Sequence, residues 1–232
     1  MVINGFQKMT LLDFPGHVAC TVFTAGCNFR CPFCHNALLV NKISASDRID
    51  EGEILSFLEK RKGLLDGVAI TGGEPLMQHD IDIFIKKVKE MGYLVKLDTN
   101  GSFPERLQDI LEEGIVDYVA MDIKNSKEKY AQTIASDPAL LPRVENSVEL
   151  LMNGKTDYEF RTTVCKELHT PDDIESIGKW IKGAKNYYIQ PFKDSGDLVS
   201  DIPFSAPEDK QLLEMKEHAA RYVPNITLRG IN

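Results

Sequence analysis

The 232 residues include only five cysteines, one tryptophan and no apolar run near the roughly 18 residues of a membrane span. An odd cysteine count, with three of the five inside eight residues, excludes a secreted disulfide framework; clustered thiols in a reduced compartment suggest metal instead. Basic charge is also in deficit. Against 35 Asp and Glu stand 27 Lys and Arg, a formal net charge of −8, so general affinity for a phosphate backbone is not expected and nucleic acid is not an expected partner. The opening stretch MVINGFQKMTLLDFPGH has no long apolar segment behind a basic start, so neither export nor a membrane is expected and the chain reads as cytoplasmic. No low-complexity tract or solenoid-period repeat is present. What remains is the composition of a folded protein, 43% hydrophobic and 27% charged, at a length that suits one domain over 1–232.

From Val18 onward, short apolar runs alternate with amphipathic segments, the pattern of repeated βα units around a parallel sheet. The runs predict strands over 17–23, 68–71, 94–99, 118–123, 158–164 and 187–191, and helices over 51–61, 81–91, 104–113, 144–153, 171–181 and 207–222. Asp50 is placed to cap the first helix, and Gly92, Gly114 and Asn153-Gly154 follow the ends of the next three. Six units fall short of the eight that close a full barrel, so the expected fold is α/β, an open partial (β/α)6 barrel. The 137–142 stretch, DPALLP, reads as a loop, and 226–232 as a last strand or a docking tail.

Ligands of parallel α/β folds bind beyond the carboxyl ends of the strands, and those ends here carry the polar residues. They are Cys27, Gly72-Gly73-Glu74-Pro75, Asp98-Thr99-Asn100-Gly101, Asp122 with Lys124, Arg161 and Gln190. Cys27, Cys31 and Cys34 sit on one short loop and can supply three thiolates to a cubane, leaving the fourth iron open. The competing reading is structural zinc, which takes four ligands; His35 could complete such a set, but no second Cys/His pair lies nearby. Cys20 and Cys165 stand apart in apolar runs and read as buried core thiols. Arg161, inside an otherwise apolar strand, needs a buried partner; Lys124 and Arg161 can together offset carboxylate charge. Asp98 and Asp122 at strand ends also fit capping or turn roles.

The C-x3-C-x2-C spacing with Phe33 before the last cysteine resembles the signature of the radical S-adenosylmethionine (SAM) superfamily, and Gly72-Gly73-Glu74-Pro75 is similar to that family's glycine-glycine-glutamate segment. The similarity of order covers about residues 10–192. Within the superfamily, the TLLDFPG stretch at 10–16, Cys34-His35-Asn36, Asp98-Thr99-Asn100-Gly101 and Met121-Asp122-Ile123-Lys124 resemble the activating enzymes of glycyl radical enzymes. The compact length and opening residues are most similar to the activating proteins of anaerobic ribonucleoside-triphosphate reductases.

The resemblance implies a [4Fe–4S] cluster on Cys27, Cys31 and Cys34, with SAM chelating the open iron. It implies that Phe33 meets the adenine, that His35 offers backbone polar groups, and that Gly72 and Gly73 let backbone approach the methionine amino group while Glu74 adds an acceptor. Asp98, Thr99 and Asp122 match residues that hold a monovalent cation, K+ or Na+, in the pyruvate formate-lyase activating enzyme. Asn100, Lys124, Arg161 and Gln190 fall at ligand-facing positions, although the family often has histidine where Gln190 stands. The implied partners are the reductase large subunit and an electron donor such as flavodoxin or ferredoxin. No cysteine lies within 36–49, where several activating enzymes carry further clusters, so one cluster is expected. A small-molecule radical enzyme, such as a carboxy-deazaguanine synthase, is the alternative.

Overall fold

The computed structural model describes residues 1–40, 48–194, 196 and 198–230. Eight strands form one sheet: β1 Ile3–Thr10, β2 Ala19–Thr24, β3 Gly67–Gly72, β4 Leu94–Thr99, β5 Tyr118–Asp122, β6 Asp157–Val164, β7 Tyr187–Pro191 and β8 Ile226–Leu228. Between them run α1 Ala37–Val40, α2 Glu51–Glu59, α3 Ile81–Glu90, α4 Pro104–Glu113, α5 Tyr130–Ile134, α6 Leu141–Asn153, α7 Pro171–Trp180 and α8 Asp209–Ala220. Spatial order follows chain order from β1 to β8. Every pair is parallel except β1 with β2. When each strand pairs with its predecessor, every right-handed crossover turns the same way, so the helices fall on one face and the sheet curls around the other. The result is an unclosed, mostly parallel barrel, as expected.

All six predicted strands are present, and β8 fulfils the strand reading of the tail, of which residues 231 and 232 lie outside the described residues, as do 41–47 of the 36–49 stretch. The unpredicted strand is β1. Its register with β2 shifts between Ile3 and Gly5 and again between Gln7 and Thr10, and these irregularities break the two-residue alternation that reveals a strand in sequence. The 137–142 stretch is a correction: Pro138–Leu140 form a 3₁₀ turn and α6 begins at Leu141. Proline punctuates loops, but it is also tolerated in the first turn of a helix, where its missing N–H has no partner to lose. The caps are as read. The Asp50 carboxylate accepts from the Gly52 amide at 2.8 Å, and Gly114 ends α4 in the left-handed region at φ 64°.

The strands are two-faced. Val68, Ile70, Val95, Leu97, Val119, Met121, Phe160 and Ile189 are fully buried beneath the helices. The alternate positions, Thr71, Lys96, Asp98, Asp122, Glu159, Arg161, Thr163 and Gln190, line the concave side. Each apolar side chain contributes roughly 1.5–3 kcal/mol by leaving water, so the outer layer carries the stability and the inner face is left free for chemistry. Among the described residues, no helix is long and apolar enough to cross a membrane.

Candidate active site

The loop from β2 to α1 is held by backbone contacts that do not involve its thiols. The Gly26 amide donates to the Leu39 carbonyl at 2.8 Å, and the Arg30 amide donates to Ile134 at the end of α5 at 2.9 Å. Asn28 Nδ2 donates to Ser102 Oγ at 2.9 Å, and Ser136 Oγ donates to the Asn28 carbonyl at 3.0 Å. From the other side, the Val199 and Ser200 amides donate to the carbonyls of Cys34 and Pro32, and Phe204 packs edge-on against Phe33. The loop is therefore a preformed cradle with three free thiols.

Burial pushes the Cys27 thiol up to about 11, aided by the nearby Glu74 carboxylate, and the Cys31 thiol up to about 12. Buried sulfurs of this kind become thiolates only beside added positive charge, which fits metal ligation. A tetrahedral zinc with sulfurs at about 2.3 Å would hold them about 3.8 Å apart. Among the described residues, the trio of metal-ligand atoms within 4.8 Å of one another is Asp172, Glu175 and His218, so the three sulfurs do not all lie that close together. A set of three thiols on one loop suits an iron–sulfur cluster.

Gly72 and Gly73 leave β3 directly beneath this loop. The Gly73 amide donates to Thr24 and the Glu74 amide to Gly26, both at 2.8 Å. A Cβ built at Gly73 would lie 2.0 Å from the Gly26 carbonyl oxygen, so the glycine is required first by backbone meeting backbone. Glu74 departs from the sequence reading. It is fully buried, accepts from the Leu76 amide, Thr99 Oγ1 and the Asn100 amide at 3.0, 2.8 and 2.6 Å, and does not reach the cavity. Burial pushes its carboxyl up to about 7 against those three donors. It ties the loops after β3 and β4 together, and through Asn100 it reaches the cysteines: Asn100 Nδ2 contacts Cys27 Sγ at 3.7 Å and Asn28 Oδ1 at 3.0 Å.

Apart from Glu74, every predicted site residue lines one cavity of about 380 Å³: Cys27, Cys31, Phe33, Cys34, His35, Gly72, Gly73, Asp98, Thr99, Asn100, Asp122, Lys124, Arg161 and Gln190. Across its wall runs a ladder of alternating charge. Lys96 pairs with Asp98, Arg161 bridges Asp98 at 3.1 Å and Asp122 at 3.0 Å, and Lys124 pairs with Asp122 at 2.9 Å. Burial alone would raise the two carboxyls; Arg161, with Lys96 beside one and Lys124 beside the other, holds both below the usual carboxylate range. His169 Nε2 lies 2.8 Å from the Lys124 carbonyl and fixes the backbone there. Gln190 Nε2 donates to Thr163 Oγ1 at 2.8 Å.

Arg161→Met is expected to cost roughly 3 kcal/mol of stability, because breaking a buried network strands its remaining charges. The two carboxylates left behind are only 14% and 26% exposed. Both carboxyls have depressed pKa values, so the stabilisation is complete above the ordinary carboxylate range near pH 4 and is lost as pH falls below it. Thermal denaturation should accordingly show a gap between variant and wild type that is constant above about pH 5 and narrows progressively as pH falls below about 4. A gap that ignores pH would assign the loss to packing alone.

Sequence reasoning missed Lys96, Glu159 and Arg229, which also line the cavity. Glu159 is fully buried and binds the Arg229 guanidinium through both oxygens at 2.6 and 2.8 Å. Tyr118 Oη donates to Glu159 at 2.8 Å, and Arg229 stacks 3.4 Å from the Tyr188 ring centroid. The residue that follows the short strand β8 thus places an arginine in the cavity wall. The available signal was a charged residue two positions before another in an otherwise apolar run, Lys96 before Asp98 and Glu159 before Arg161.

A family model described as the radical SAM superfamily matches residues 21–181. A protein of Methanocaldococcus jannaschii provisionally named a glycyl-radical enzyme activating enzyme is 30% identical over 239 residues, covering 100% of this chain and 97% of its own. The 7-carboxy-7-deazaguanine synthase of the same organism is 27% identical over 215 residues, covering 86% of this chain and 83% of its own. Among solved structures, Streptococcus suis SuiB bound to its precursor peptide SuiA superposes with a TM-score of 0.70 at 15% identity, covering 91% of this chain and 48% of that one.

Proposed function

The chain belongs to the radical SAM superfamily, and from that premise we propose that it holds a [4Fe–4S] cluster on Cys27, Cys31 and Cys34, binds SAM in the adjoining cavity and activates a glycyl radical enzyme. The observation that carries this reading is the convergence of three free thiols with the ends of five strands on one cavity. When bound, the cluster and SAM would supply the radical chemistry, one-electron cleavage of SAM and hydrogen-atom abstraction from a glycine of the partner. This chain's own residues bind and orient. Phe33 and His35 offer an apolar ring and backbone polar groups to the adenine side, and Gly72 and Gly73 present backbone edges to the methionine amino group. The ladder has three cationic side chains, Lys96, Arg161 and Lys124, against two carboxylates, and its surplus positive charge complements the methionine carboxylate.

A protein partner is supported by the relative matched over the whole chain. The large subunit of an anaerobic ribonucleoside-triphosphate reductase is the partner named by the resemblance of the opening residues, with reducing equivalents from flavodoxin or ferredoxin. Mixing reconstituted protein, a reductant, SAM and that subunit without oxygen should yield 5′-deoxyadenosine together with a glycyl-radical doublet in electron paramagnetic resonance. SAM cleavage that never produces a doublet but is stimulated by a small metabolite would transfer the assignment to small-molecule chemistry. That second reading has its own observation: the Glu159–Arg229 pair adds further polar groups to the lining of the same cavity, and the deazaguanine synthase relative covers most of the chain.

A further inference from the structure

The residues present do not fit the monovalent cation that the resemblance implies. Its ligands would be Asp98, Thr99 and Asp122, and each is already engaged. The four carboxylate oxygens are taken in turn: Asp98 Oδ1 by Lys96 Nζ, Asp98 Oδ2 by Arg161 Nη1, Asp122 Oδ1 by Arg161 Nε and Asp122 Oδ2 by Lys124 Nζ. Thr99 Oγ1 donates to Glu74 at 2.8 Å and accepts from the Gly101 amide at 3.1 Å, so it is bound into its own loop. An added ion would meet three fixed positive groups around two carboxylates, and repulsion at these distances outweighs any lone pair still free.

Lys96 is the unusual member. Its side chain is 2% exposed, and Asp98 is the ion-pair partner that makes burying the ammonium tolerable. It lies two residues before Asp98 on β4, and strand alternation turns both side chains to the concave face. We propose that the Lys96 ammonium is a built-in replacement for the K+ or Na+ at this position, so that the cavity reaches its working charge balance without a dissolved ion. The proposal rests on the reading of the cavity as a SAM site for its role, but the charge substitution itself is testable without SAM.

Two measurements separate those layers. SAM affinity of the reconstituted protein, followed by calorimetry in KCl, NaCl or choline chloride at matched ionic strength, should be the same in all three salts. Lys96→Met should lose about tenfold in affinity in choline chloride and regain it in KCl or NaCl, because Asp98 Oδ1 is then free to take an ion in place of the ammonium. The melting temperature of the cluster-free protein gives the second readout: indifferent to the salt for the wild type, raised by KCl or NaCl but not choline chloride for Lys96→Met. If Lys96→Met does not fold, the wild-type measurements decide alone. A wild type whose SAM affinity or melting temperature rises with K+ or Na+ over choline overturns the replacement. Absence of SAM binding in every salt would instead overturn the SAM reading, leaving the melting comparison to judge Lys96.

Discussion

Alanine at Cys27, Cys31 or Cys34 should give a folded protein that holds essentially no cluster and does not cleave SAM, where the reconstituted wild type holds about four irons per chain. The fold should survive because the loop is pinned elsewhere, by Gly26 on Leu39, Arg30 on Ile134, Asn28 on Ser102 and Ser136 on Asn28, none of which uses a sulfur. The cluster should not survive, because three thiolates are all that this loop provides and a fourth iron is already without a protein ligand. Cys20 and Cys165 supply the contrast. Both are fully buried outside the cavity wall, and burial pushes each thiol up to about 12. Cys20→Ala and Cys165→Ala should keep full iron and SAM cleavage while losing on the order of 1 kcal/mol of stability to the small cavity created. Iron analysis and the ultraviolet-visible spectrum of anaerobic preparations read both halves. Stoichiometric zinc with no iron absorbance, or equal iron loss from all five variants, would refute the ligand assignment.

A side chain at Gly73 should remove the cluster and SAM binding together. The family resemblance suggests a gentler result, in which valine obstructs the ligand and leaves the cluster in place. The backbone geometry points to the harsher outcome: the first atom of any side chain would sit 2.0 Å from the Gly26 oxygen and 2.6 Å from its carbonyl carbon. These are backbone atoms next to Cys27, and they cannot rotate aside as a side chain can. Relief requires moving the β2–α1 loop and breaking the Gly73-to-Thr24 and Glu74-to-Gly26 bonds that align it. Overpacking in a well-packed site costs roughly 1–3 kcal/mol, and here the strain falls on the cysteine cradle itself. Gly73→Ala should thus lower iron content, and Gly73→Val should abolish it, with SAM binding lost in parallel on calorimetry. Full iron in Gly73→Val with SAM binding alone impaired would restore the ligand-clearance explanation.

Much of this protein is determined by local sequence. Three thiols within eight residues need only a short loop to converge, and Gly72-Gly73 after an apolar run needs only a strand to place it. The βα alternation from Val18 likewise records burial on repeating elements, so the six central strands and the open barrel follow from periodicity. Strand β1 escapes that logic because its two register shifts erase the period. The chemistry of the inner wall is decided at a different range. Arg161 meets Asp122 across 39 residues of chain and Asp98 across 63, Glu159 meets Arg229 across 70, and Glu74 reaches Asn100 across 26. Sequence can mark each of these as a charge that burial will force to find a partner, but it does not name the partner. That choice belongs to the curl of the sheet, which brings strand ends distant in the chain to one concave face. There Glu74 becomes a tie between loops, Arg229 joins the cavity wall, and Lys96 pairs with Asp98, one of the residues that the family resemblance would give to an ion.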